Sequence, residues 1–174
     1  RGDRGPLDIK ERSQDIGRKL MLEIGPLVGM IQIPGIKYGV KDVITLATLN
    51  GAIEDIIETL EDQGVKGLEE QCEFIAQCLT AWFDASGRFE DAKKVKQESL
   101  SSQNVVYQGR VLVSMIALVP AMIWKLKEKK TILISDKAIK NLTEWLKNIA
   151  ERAFLLEKGI FIGKDKFKAR GYLG

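Results

Sequence analysis

The sequence predicts an all-α fold: a single-domain helical bundle of about six helices around a central apolar helix, with extended N- and C-terminal arms. Three observations carry this reading. Apolar residues recur at helical spacing through long segments near 42–63, 66–86 and 136–158. Residues 111–124 hold no charged side chain at all. Most glycines and prolines fall between these segments, where they break the chain into elements. The length agrees, because 174 residues suit one domain. A domain of this size buries roughly 70% of the surface its unfolded chain exposes, so it needs no disulfide or metal to hold its fold.

Residues 1–5, Arg-Gly-Asp-Arg-Gly, read as a flexible N-terminal arm. The helical domain then spans 6–158. Pro6 opens the first helix, since its fixed φ suits a first turn. That helix runs to about Ile24, with Ile9, Ile16, Leu20 and Ile24 on one face, and stops at Gly25-Pro26. Between 25 and 40, Gly25, Pro26, Gly29, Pro34, Gly35 and Gly39 interrupt an apolar stretch. A short strand at 29–33 is one option, and an ordered, packed loop is the preferred one. An apolar connector this long must be covered by its own core or by a neighbouring subunit. On that ground Leu27, Val28, Met30, Ile31 and Ile36 are candidate assembly contacts.

Asp42 is the expected N-cap of the second helix, whose stripe is Val43, Leu46, Ala47, Leu49, Ile53, Ile56, Ile57 and Leu60, with Gly64 ending it. A third helix covers about 66–86, using Leu68, Cys72, Ile75, Leu79, Trp82 and Phe83, and Gly87 stops it. A more polar helix follows at about 88–100, then a turn at 101–104. Residues 111–124 make the central helix, roughly 21 Å long at 1.5 Å per residue. Fourteen residues fall short of the ~20 a membrane span needs, so no membrane span is expected. Pro120 should kink or restart this helix. Lys125, Lys127, Lys129 and Lys130 close it, where positive charge suits the helix dipole. After an extended link at 131–135, Asp136 caps a last helix to about 158, with Ile139, Leu142, Trp145, Leu146, Ile149, Ala153 and Phe154 inward. Gly159 ends it. Residues 159–174 form a basic-aromatic tail without helical period.

The chain has no histidine. That removes Ser-His-Asp and Cys-His arrangements and most zinc sites. Cys72 and Cys78, six residues apart on one helix, point roughly 120° away from each other and cannot pair within it. They read as free buried thiols, which favour a reducing, intracellular compartment. Glu54, Glu58 and Asp62 share a helix face, but helical di-metal sites add Glu-x-x-His motifs that cannot exist here. A solvated acidic face is the simpler reading. No phosphate-binding glycine pattern appears, and Arg1-Gly2-Asp3 and Asn141-Leu142-Thr143 are too short to carry a function. No catalytic residue, metal or cofactor is expected, and the chain reads as non-enzymatic.

Charge is the informative feature. Residues 1–87 hold nine Lys/Arg against fifteen Asp/Glu, a net of −6, while 88–174 hold eighteen against nine, a net of +9. Such polarity can drive head-to-tail self-association or leave a basic face for a polyanion. The basic runs are Lys93, Lys94 and Lys96; Lys125 to Lys130; and Lys164, Lys166, Lys168 and Arg170. Phe161, Phe167 and Tyr172 interleave with the last run and are further candidate assembly contacts. Cations neutralise phosphates and rings stack on bases, so this mixture suits single-stranded nucleic acid. The simpler reading docks the tail aromatics on the protein itself and leaves the lysines in water.

Two functions are expected from these features. The first is a structural protein that self-assembles through its arms and opposed charge and coats nucleic acid, in the cytoplasm or within a viral or other large assembly. In architecture alone this organisation is similar to that of helical viral coat and nucleocapsid proteins. The second is a helical adaptor that grips another protein through the apolar loop 27–40 or the acidic face of helix 42–63.

Overall fold

The computed structural model describes residues 6–36, 43–85 and 105–153, together with 156–157, 160–162, 165 and 169. The arm 1–5, Asp42, the helix expected at 88–100, the turn at 101–104 and most of the tail lie outside the described residues.

The described chain is mostly helical. Its elements are α1 (Pro6–Leu22), β1 (Ile31–Gln32), β2 (Ile44–Thr45), α2 (Leu46–Asp62), α3 (Leu68–Ala85), a 3-10 turn (Val105–Tyr107), α4 (Gly109–Ile116), α5 (Val119–Glu128), α6 (Asp136–Arg152), β3 (Leu156–Glu157) and β4 (Ile160–Phe161). The principal packing pairs are α1 on α2 and α3 on α6. The helix most fully enclosed is α3, in which Cys72, Phe74 to Leu79 and Ala81 to Phe83 are all buried.

The segment expected to form the central rod is two helices. The missing N–H of Pro120 cannot satisfy the carbonyl of Ile116, and α4 ends at Ile116. The chain restarts one turn on, with Pro120 in the first turn of α5. Leu112, Met115, Ile116, Val119, Met122, Ile123 and Leu126 face the core, whereas Leu118 and Trp124 lie exposed. By length and composition Gly109–Glu128 could cross a membrane: it has 20 residues and a mean hydropathy of 1.6, and 44% of its apolar window is buried.

Element ends differ from expectation for local reasons. The chain stays extended through Ile44-Thr45 because these residues pair in parallel with Ile31-Gln32. A short strand therefore stands where a loop was preferred, and α2 is capped by Thr45 instead of Asp42. The Thr45 hydroxyl accepts from the Thr48 N–H at 3.2 Å. The α6 N-cap is Ser135, whose Oγ accepts from the Ala138 N–H at 3.1 Å, and Asp136 is the first residue of the helix. Helix α6 ends at Arg152, six residues early. Leu156-Glu157 turns back instead onto Ile160-Phe161 as an antiparallel pair, with Leu156 opposite Phe161. Likewise α1 stops at Leu22, so Ile24 lies beyond it and is exposed. Ala47 and Ile149, expected inward, face solvent.

Two helix ends share one closing motif. After α2, Gly64 N–H donates to Glu61 and Val65 N–H to Leu60. This is a Schellman turn, which needs a positive φ at Gly64 and has 85° there. After α5, Lys130 N–H donates to Lys127 and Thr131 N–H to Leu126, with Lys130 itself at φ 52°. The same turn is thus made with a lysine in the left-handed region that glycine normally fills.

Candidate functional site

The candidate site is the C-terminal end of α5 and the link into α6. Burial of Met122, Ile123 and Leu126 fixes how α5 rolls on the core. That roll turns Trp124 outward, 52% exposed, together with Lys125, Lys127, Lys129 and Lys130. The four lysines, one run in the sequence, divide between two surfaces. Lys125 and Lys129 are one helical turn apart and reach over the ring of Trp145 on α6, with Nζ atoms 4.5 Å and 5.2 Å from its centroid. Both distances lie in the range for cation–π attraction. Trp145, expected inward, is half-buried: one side packs on the core and the other carries the two cations.

Lys127 and Lys130 instead line a groove of about 550 Å³. Val65, Glu70 and Thr131 to Ile134 complete its lining. Helix α3 anchors part of this lining. Buried Gln77 donates from Nε2 to the Leu133 carbonyl at 2.8 Å, and Leu133 itself is buried. Ile132, between two buried neighbours, is 76% exposed. The Thr131 hydroxyl, on a side chain only 5% exposed, makes no hydrogen bond to any described residue.

Acid gathers on other elements. Residues 46–85 hold nine Asp/Glu and a single Lys, whereas 105–153 hold nine Lys/Arg and four Asp/Glu. Helix α1 ties part of the acid down, through Arg12 to Glu61 at 3.6 Å and Lys19 to Glu69. Among the described residues no three metal-ligating side chains come together.

The expected assembly residues also separate. Leu27 and Ile31 are core residues and Met30 is half-buried, while Val28 and Ile36 are exposed. Leu22, Ile24 and Ile33, which sequence reasoning did not single out, are exposed as well. Phe161 lies on β4. Lys93, Lys94, Lys164, Lys166, Lys168, Arg170, Phe167 and Tyr172 lie outside the described residues.

Trp124, Thr131 and Ile132 were missed. For Trp124 the signal was present: the stripe 112, 115, 116, 119, 122, 123, 126 repeats at helical spacing and leaves 124 on the opposite side. No protein-family model matches the chain, and no curated protein or solved structure is significantly similar to it.

Proposed function

We propose that this is a non-enzymatic structural protein that self-associates and holds single-stranded nucleic acid across the α5–α6 surface. The observation that carries the reading is the stacking of Lys125 and Lys129 over Trp145, with a second ring, Trp124, exposed on the same helix as the lysines. Rings offer a stacking face to any base and ammonium groups neutralise phosphates, which gives affinity without sequence preference. Segregation of acid onto α2 and α3 and base onto α4 to α6 offers a second copy charge of both signs to pair with. Exposed Val28, Ile33 and Ile36 add apolar area to such a contact.

Fluorescence anisotropy with a labelled single-stranded oligonucleotide tests the nucleic-acid part. Trp124→Ala should weaken binding about tenfold, the loss of one stacked base. Lys125→Glu with Lys129→Glu should weaken it further and flatten its salt dependence. Equal affinity in all three proteins would remove the α5–α6 surface from the account.

A second reading, a protein adaptor, is favoured by the exposed apolar set Leu22, Ile24, Val28, Ile33 and Ile36. Under that reading the lysine reversals leave partner binding unchanged, and Ile36→Asp abolishes it.

A further inference from the structure

We infer that the outer side of α4 and α5 rests on the surface of an anionic lipid bilayer. Exposed residues along these helices recur about one turn apart, at 110, 114, 117–118, 121, 124–125 and 128, and so form one stripe. The break between the helices does not divert it, because Ala117 and Leu118 both keep right-handed helical angles. Between Arg110 and Lys125 the exposed residues are Ser114, Ala117, Leu118, Ala121 and Trp124, and none is charged. Leu118 is 39% and Trp124 52% exposed. The Ser114 hydroxyl is satisfied within the helix, donating to the Arg110 carbonyl at 2.9 Å. Helix α6 is the contrast: its exposed residues include Lys137, Lys140, Glu144, Lys147, Glu151 and Arg152, as water favours. An uncharged stripe of roughly 21 Å on the outside of a fold calls for an apolar surface to cover it.

The charges at its ends select the occupant. Arg110 stands at one end and Lys125, Lys127, Lys129 and Lys130 at the other, with Glu128 the one acid among them. A second copy laid on the same stripe would set cations against cations, whichever way it ran. The acidic side of a second copy does not match either: the exposed residues of α3 are Glu69, Glu70, Glu73 and Asp84, with nothing apolar between them. A bilayer holding anionic lipid meets both needs. Its interface takes up shallow apolar side chains, an indole ring settles at headgroup level, and long basic stems carry their charge to the phosphates. The segment lies flat, since Leu112, Ile116, Ile123 and Leu126 on its inner side belong to the core and a span would pull them out. The inference does not rest on the nucleic-acid reading. Lys125 and Lys129 are common to both, so a strand and a vesicle should compete, but Leu118 and Ala121 belong to the lipid surface alone.

The test is flotation of the full chain with vesicles of phosphatidylcholine alone and of equal parts phosphatidylcholine and phosphatidylserine. The anionic vesicles should bind at least about tenfold more tightly. Lipids brominated on the acyl chain should quench the tryptophan fluorescence of the bound protein. Trp124→Phe should remove most of that quenching while the protein still binds. Leu118→Asn with Ala121→Gln leaves the charge unchanged and puts amides at the N-cap and third position of α5, where they suit a helix start and keep the fold. This pair should cost about tenfold in vesicle affinity and leave oligonucleotide affinity as it was. No binding to either vesicle overturns the inference, whatever the oligonucleotide does. So does equal binding to both vesicles, a bound protein whose tryptophan is not quenched, or a vesicle affinity that the Leu118 and Ala121 changes leave alone.

Discussion

Lys130 sits at φ 52°, a conformation that crowds the Cβ of any L-residue against its own carbonyl. The Schellman hydrogen bonds from Lys130 and Thr131 hold it there. Lys130→Gly should therefore stabilise the fold by about 1 kcal/mol in urea unfolding. The two cysteines make a second prediction at this scale. Burial pushes the Cys72 thiol up from 9.0 to about 11 and raises Cys78 as well. Unfolded thiols ionise first as the pH rises, so deprotonation favours the unfolded chain. Stability should be constant below pH 9 on this account and fall between there and about 11. Urea unfolding at the two ends of that window should show the fall, and Cys72→Ala should reduce it. In the native protein neither thiol should react readily with a thiol reagent at neutral pH.

Two glycines show how element geometry decides the sign of one substitution. At Gly109, the start of α4, a Cβ would stand 2.7 Å from the Val43 backbone carbonyl oxygen, which no rotamer change can move. Gly109→Ala should destabilise by about 1–3 kcal/mol. Gly51, on the exposed side of α2, has nothing within 4 Å of that position, so Gly51→Ala should stabilise by roughly 1 kcal/mol. Thermal melts of the pair check both signs. Elements like α2 and α3 were legible because their stripes are long and regular, and Leu49, Ile53, Ile56, Ile57 and Leu60 are all buried as spacing implies. Their ends were less so. Choosing Thr45 over Asp42 depended on a strand pairing with Ile31-Gln32, a contact that local sequence does not contain. The α5 lysines were legible as a basic run. Their division between Trp145 and the groove was not, because it follows from how α6 and the link after α5 are placed. Hydrophobicity alone also misled at Trp124, since an uncharged segment need not be buried all round.

For the molecule as a whole, the separation of charge is the feature with the widest consequence. On the proposed reading, acid on α2 and α3 and base on α4 to α6 would make each copy a complement to the next. Such attraction weakens as salt shortens the screening length, to ~3 Å at 1 M. Apolar contact through Val28, Ile33 and Ile36 would persist in salt and set a smaller residual association. On the proposed reading, a strand of nucleic acid held by Lys125 and Lys129 would neutralise the basic face and join neighbouring copies along one ligand.

Light scattering coupled to size-exclusion chromatography, run at 50 mM and 1 M salt with and without a long single-stranded oligonucleotide, addresses this most directly. The account predicts oligomers at low salt, growth into larger particles that absorb strongly at 260 nm when the oligonucleotide is added, and dissociation in 1 M salt. A strict monomer of 19.5 kDa under all four conditions would contradict it.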